Sequence, residues 1–232
     1  MGIDTATTRV SVAIADGGEV LGVVSLAGGR RHAEQLAPAI RYLCDELDVS
    51  LGQLAAIAVD LGPGLFTGLR VGVTTAKVMA QALRVPVVGI PSLDLVAYPL
   101  RHANRLVVAV LDARRREVFS ASYRPVPGGL QRVSDYEVRA PAELVAELES
   151  GTDELLLAGD GVAAYRDEFA SLDRAELVGG SHASPSAAAL VELATARVER
   201  EDFQLPRDLR PLYLRTSDAE IHWEREHVGV RK

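Results

Sequence analysis

The sequence predicts a two-lobed α/β protein in which one βββαβαβα unit is used twice. Three observations carry that expectation. The hydrophobic period switches between two and 3.6 in the same order in each half of the 232 residues. Short apolar runs alternate with helical patterns, which calls for largely parallel sheets covered by helices. The change of unit falls near Leu100–Arg105, so the lobes are expected at residues 1–103 and 104–210, followed by a tail at 211–232. No sequence identity is visible between the halves, so the repeat is one of architecture.

In the first unit, a short strand at Met1–Asp4 precedes strands near Arg9–Ala15 and Glu19–Leu26, joined by the turn Asp16-Gly17-Gly18. A helix from His32 to about Leu47 places Ala33, Leu36, Ala37, Ile40, Leu43, Cys44 and Leu47 at i, i+3, i+4 spacing. A strand at Leu54–Leu61 leads through a glycine-rich turn to a helix from about Thr67 to Leu83. A strand at Val85–Ile90 and a helix with Ser92 as N-cap close the unit. The second unit reads as strands Leu106–Asp112, Glu117–Tyr123 and Leu130–Val138, then a helix Pro141–Glu149 with Pro in its first turn. A strand Glu154–Ala158, a helix Val162–Ser171, a strand Ala175–Val178 and a helix Pro185–Glu201 complete it, with Ser186 as a cap.

Composition narrows the class. An apolar content of 48% with 25% charged residues describes a soluble globular chain. The formal charge of −7 argues against a general attraction to nucleic acid. The single cysteine, Cys44, excludes internal disulfides, fits a reducing cytoplasm and sits on the core side of its helix. There is no apolar run of membrane-spanning length and no signal-peptide pattern, so a cytoplasmic protein without membrane contact is expected.

The stretch Val59–Leu83 is the most informative. Strand, glycine turn and helix N-terminus present backbone N–H groups to an anion, so phosphate binding is the first idea to test. No Lys follows Gly68, which removes the P-loop, and Gly62, Gly64 and Gly68 miss the dinucleotide spacing by one residue. On the helix itself Leu69, Gly72, Val73, Ala76, Met79, Ala80 and Leu83 form one apolar stripe. Val71, Val78 and Ala82, with Thr75 among them, form a second. Arg70, Thr74, Lys77 and Gln81 make a narrow polar ridge between them. Two stripes mean cover on two sides, either by the chain's own domain or by a partner subunit.

Other motifs weigh less. His32, His102, His182, His222 and His227 are scattered, with no i, i+4 pair, so no metal site is read. His32, beside Arg30 and Arg31, reads as a solvated residue at a helix start, with ligand contact as the alternative. Gly159-Asp160-Gly161 reads as a turn feeding a helix. Arg114, Arg115 and Arg116 occupy a hairpin loop; the plain reading is a solubilising turn, the other a contact to nucleic-acid phosphates or an acidic surface. Trp223 is a candidate anchor for the charged tail.

Several segments resemble the TsaB (YeaZ) family in order along nearly the whole chain. They are Asp4-Thr5-Ala6-Thr7, Arg31-His32-Ala33-Glu34-Gln35-Leu36, Gly62-Pro63-Gly64-Leu65-Phe66-Thr67-Gly68-Leu69-Arg70-Val71-Gly72, Gly89-Ile90-Pro91-Ser92-Leu93-Asp94, Asp112 to Phe119, and Pro211-Leu212-Tyr213-Leu214-Arg215. Leu65 stands where the family usually has Ser, and the first strand starts a few residues late. The resemblance implies the actin-like, sugar-kinase-like (ribonuclease H-like) fold. It also implies a non-catalytic subunit of the bacterial machinery that makes threonylcarbamoyladenosine in tRNA. The implied partners are TsaD, the transferase that modifies adenosine 37, and TsaE, an ATPase. A homodimer is implied for the isolated subunit, with tRNA touched only indirectly or weakly and no cofactor. On that basis the partner surface is placed on Leu36, Ile40, Leu43 and Leu47 of the first helix, and on Arg70, Val71, Thr74, Thr75, Val78 and Ala82 of the second. The hallmark loop is Gly62, Pro63, Gly64, Phe66, Thr67 and Gly68. An ATPase of this fold needs Asp-x-Gly-Thr in its first turn, and here Ala6 replaces the glycine. An ATPase or phosphotransferase working in the cleft between the lobes stays as the alternative.

Overall fold

The computed structural model describes residues 1–27, 29 and 31–215. Arg30, His222, Trp223, His227 and the rest of the tail beyond Arg215 lie outside the described residues. Two sheets form. The first contains β1 (Gly2–Asp4), β2 (Arg9–Asp16), β3 (Glu19–Ala27), β4 (Ile57–Asp60) and β5 (Val87–Ile90) in the order β3-β2-β1-β4-β5. The second contains β6 (Leu106–Arg114), β7 (Glu117–Val126), β8 (Gly129–Arg132), β9 (Glu137–Arg139), β10 (Leu155–Ala158) and β11 (Ala175–Val178). Its order is β11-β10-β6-β7-β8, with β9 also on β7. Each sheet has two antiparallel strands beside its first strand and two parallel ones on the other side. That shared order is the actin-like, sugar-kinase-like plan. The Gly17-Gly18 turn sits at φ +52° and +89°, the left-handed region that a tight hairpin needs.

Three expected elements differ. The strand expected at Leu130–Val138 is split into β8 and β9, because the Ser134 hydroxyl accepts the Ser122 N–H at 2.9 Å in place of a ladder carbonyl. The helix expected at Val162–Ser171 becomes two short pieces, α5 (Asp160–Ala164) and α6 (Arg166–Phe169), broken at the non-helical Tyr165. The run Leu54–Leu61 yields only β4, because Leu54 is buried in the core of the first sheet without joining a strand.

The helices α1 (His32–Glu46) and α2 (Phe66–Leu83) cover one face of the first sheet; Leu36, Leu43, Val73 and Ala76 meet Ile3, Val12 and Val59 there. The other face is covered by α7 (Ala187–Glu199), from the second half of the chain, through Leu190 and Ala194 against Ala58, Val88 and Ile90. Ser186 caps that helix, accepting the Ala188 N–H at 3.2 Å. Conversely α3 (Ser92–Ala97) lies on the second sheet, where Leu93 and Val96 pack with Val107 and Phe119. The opposite face of that sheet takes α4 (Pro141–Ser150), α5 and α6.

Glycine spacing sets how α2 meets β1. Gly64, Gly68 and Gly72 lie four residues apart, about one helical turn each, and all face the turn after β1. A methyl group on them would stand 2.3 Å from the Ala6 carbonyl oxygen, 2.1 Å from the Thr5 carbonyl oxygen and 2.3 Å from the Thr5 hydroxyl. Backbone therefore touches backbone, a distance that only glycine permits.

This packing sets two stability outcomes. Gly68→Ala is expected to cost about 3 kcal/mol in urea unfolding, since the obstructing atom is main chain and cannot rotate away. Leu190→Ala is expected to cost roughly 2–5 kcal/mol with an unchanged m-value; a loss under about 1 kcal/mol would show that α7 does not seal the first sheet.

Candidate functional site

The site is built from the C-terminal ends of β1 and β4. Their parallel register pairs Ile3 with Val59, so Asp4 and Asp60 end neighbouring strands side by side. Both are buried, at 0% and 2% exposure. Asp4 Oδ1 accepts the Ala6 N–H at 2.9 Å and thereby braces the turn. Asp60 Oδ1 accepts the Gly62 N–H at 2.7 Å and the Ser92 hydroxyl at 2.6 Å. Their other oxygens, Asp4 Oδ2 and Asp60 Oδ2, are buried without a hydrogen-bond partner. Burial pushes both above the ordinary carboxyl range, Asp4 further because the Asp60 charge adds to it. Asp60 reaches about 6, restrained by the Ser92 and Gly62 donors.

Ser92 is thus not the N-cap the sequence suggested. The capping position belongs to Pro91, and the Ser92 hydroxyl turns inward to Asp60. Two residues on, Asp94 Oδ1 accepts the hydroxyls of Tyr123 at 2.7 Å and Tyr136 at 2.8 Å. One helix start therefore ties the first sheet to the second.

The loop leaving β4 is held on every side. Gly62 adopts φ +94° and its bond to Pro63 is cis. Its carbonyl accepts the Ser92 N–H at 2.8 Å, the Leu65 N–H reaches the Ala6 carbonyl at 2.7 Å, and the Leu212 N–H reaches the Leu61 carbonyl at 2.7 Å. The Thr5 hydroxyl donates to the Gly68 carbonyl at 2.8 Å. His32 corrects another expectation. It is buried, not solvated, because its Nε2 lies 2.7 Å from the Thr7 carbonyl, and a carbonyl partner makes that nitrogen the donor.

Outside this loop the two apolar stripes of α2 part ways. The first is core: Leu69, Val73, Ala76 and Ala80 are buried. The second remains open, with Val78 61% exposed, Ala82 exposed and Val71 and Thr75 half-buried. Between α1 and α2 runs a groove of about 530 Å³, walled by Ala33, Ala37, Phe66, Thr67, Arg70, Val71, Thr74 and Thr75, with Leu36 at its floor. At its end the Arg70 guanidinium stacks 3.8 Å over the Phe66 ring, whose other neighbour is Tyr213 at 5.3 Å. On α1 the expected surface is corrected: Leu36, Ile40 and Leu43 are buried in the core of this chain and Leu47 is packed against it. The larger apolar side chains of α1 face its own sheet, and its exposed face includes Ala33, Ala37, Pro38, Arg41 and Tyr42. Phe66, Tyr213 and Tyr42 carry no surface signal in the sequence, because isolated aromatics have no period.

A second hollow, about 570 Å³, lies between the sheets and shares Phe66 and Thr67 with the groove. Its walls include Gly64, Gly68, His32, Asp112, Arg114, Arg115, Tyr213 and Arg215. Arg114, Arg115 and Arg116 do form the β6–β7 hairpin, all at positive φ (62°, 57° and 64°), a region costly for non-glycine residues. The turn is braced by Asp112, which accepts the Arg114 N–H at 2.8 Å and pairs with its guanidinium at 2.9 Å. Arg215 is paired with Glu117 at 2.8 Å. Gly159, at φ +119°, crosses within contact of the Val110 backbone and feeds α5, as read from the sequence. Cys44 is buried. Among the described residues, no group of three or more His, Cys, Asp or Glu side chains is placed to hold a metal, and no helix is long and apolar enough to cross a membrane.

Comparison with known proteins agrees with this geometry. The family described as TsaD, tRNA N6-adenosine threonylcarbamoyltransferase, matches residues 13–223. The tRNA threonylcarbamoyladenosine biosynthesis protein TsaB of Bacillus subtilis is 28% identical over 96% of both chains. The Escherichia coli protein of the same name is 31% identical over 72% of this chain and 73% of its own. A crystal structure of an uncharacterized Pseudomonas aeruginosa protein with similarity to peptidase YEAZ superposes with a TM-score of 0.81 at 30% identity. It covers 92% of this chain and 98% of that one. On these identities and the structural match, the chain belongs to the TsaB (YeaZ) family.

Proposed function

We propose that this protein is a non-catalytic subunit that binds a TsaD-like transferase and supports N6-threonylcarbamoylation of adenosine 37 in tRNA. The observation that carries the reading is the outer stripe of α2. Val78 and Ala82 are open, and Val71 and Thr75 are half-open and line a groove shared with the small side chains Ala33 and Ala37 of α1. Small residues on two adjacent helices let a partner helix approach closely and exclude water. Phe66 and Arg70, stacked at the end of the groove, have the residue types that most often anchor an interface. The same face would close on a second copy when the subunit is alone, and a TsaE-like ATPase would join the assembled pair. Contact with tRNA is left to the partner, since this chain carries a formal charge of −7 and at least one arginine of its basic hairpin is engaged by Asp112.

An ATPase working between the sheets is the weaker reading for a steric reason. In the first turn Ala6 is buried, and its carbonyl already accepts the Leu65 N–H of the glycine loop. The loop and the turn thus satisfy each other where a phosphate-binding version would face its ligand.

The test is Val78→Glu, alone and with Ala82→Glu, in co-purification with the transferase. Both positions are exposed, so the fold and melting temperature should hold. A carboxylate buried unpaired costs about 3 kcal/mol, so affinity should fall roughly a hundredfold or more. Undiminished co-elution of the double variant would remove this face from the interface.

A further inference from the structure

The buried Asp4–Asp60 pair takes no part in the proposed partner contact, and its chemistry is independent of that contact. Asp4 Oδ1 and Asp60 Oδ1 are fully used by Ala6, Gly62 and Ser92 donors. Asp4 Oδ2 and Asp60 Oδ2 are buried with no other donor to either. Two carboxylates buried side by side at the ends of neighbouring strands cannot both stay ionised unless a cation lies between them. Among the described residues, the neighbouring elements place no cation between the two carboxyl groups. From β2, Arg9 acts on Asp4 only as the weakest of its influences. From α3 come the Ser92 hydroxyl and the negative charge of Asp94, which pushes Asp60 further up. From α1, His32 is engaged by the Thr7 carbonyl. α2 presents Gly68 and Gly72 to the adjoining turn.

We propose that Asp4 and Asp60 share one proton at neutral pH, and that this proton fastens the glycine loop to the first strand as a pH-sensitive clasp. Asp60 accepts from the loop at Gly62 and Asp4 accepts from the turn at Ala6, so the proton between them joins the two backbones that the loop glycines bring together. Removing it would leave two facing anions under the start of α2.

The sign of the effect is opposite to that of ordinary paired carboxylates. Unfolded, both groups ionise near pH ~4. Folded, they hold protons to higher pH, so their contribution is complete below about pH 4 and is lost as pH rises through the folded values. Each retained proton lowers the folded-to-unfolded ratio about tenfold per pH unit over that range. The loss is steepest up to about 6, where Asp60 ionises, and continues above it while Asp4 keeps its proton.

Asp60→Asn and Asp4→Asn each keep the Oδ1 acceptor and put a permanent N–H where the shared proton lies. Thermal unfolding from about pH 5 to about pH 9 should show the wild type losing stability relative to both variants as pH rises. Curves that stay parallel would overturn the proposal. A second measurement avoids any variant that folds poorly. In wild-type protein with carbon-13-labelled aspartate carboxyls, one side chain should remain protonated at about pH 7. Ordinary titration of every aspartate near pH ~4 would also overturn it.

Discussion

The contact on which the rest depends is the close approach of α2 to the turn after β1, backbone against backbone at Gly64 and Gly68 and against the Thr5 hydroxyl at Gly72. At 2.1–2.3 Å from a hypothetical methyl group, these positions leave no room for the smallest side chain. The approach brings the N-terminus of α2 directly over the ends of β1 and β4. It also allows the Thr5 hydroxyl to reach the Gly68 carbonyl and the Leu65 N–H to reach the Ala6 carbonyl. A side chain at any of the three would push α2 outward, strain those bonds and open the layer beneath Val73 and Ala76.

From that contact the two halves are joined by a short segment. Ser92 bonds Asp60 in the first sheet, and Asp94, two residues on in the same helix, collects Tyr123 and Tyr136 from the second half. The exchange of helices strengthens the joint, with α3 lying on the second sheet and α7 on the first. Each sheet thus completes its cover with a helix encoded on the far side of the Leu100–Arg105 connection. Cooperative unfolding of both sheets is the expectation for such an exchange, because exposing either sheet strips a helix from the other.

Much of this was legible in the sequence. The change of period gave the strand and helix order, and the sheet order obeys the β-hairpin and crossover rules. What failed had local physical causes. Ser134 replaced a ladder acceptor inside an expected strand, and Leu54, ahead of β4, is buried like the strand although it lies outside it. The partner surface on α1 was misplaced because an i, i+3, i+4 stripe identifies a buried face without saying what buries it. For Leu36, Ile40 and Leu43 the answer is the chain's own sheet. The glycine row is visible as a spacing of four, yet that spacing invites comparison with phosphate loops; a helix crossing a turn at contact distance produces the same pattern. His32 and Ser92 read as helix-start residues from their positions, whereas both turn inward to acceptors brought near only by the fold.

The inner face of α2 explains why its outer face suits a docking role. A helix held by ordinary side-chain packing can shift by fractions of an ångström as neighbours change rotamer. One whose Gly64 and Gly68 rest on main chain has no such slack there, since those contacting atoms cannot move independently of the strand. Val71, Thr75, Val78 and Ala82 are therefore presented on a rigid rod, and short or β-branched side chains have few rotamers to lose. In the proposed complex both properties act in the same direction. They lower the ordering cost that normally offsets burial at an interface, so a narrow stripe can bind more tightly than its area alone would suggest.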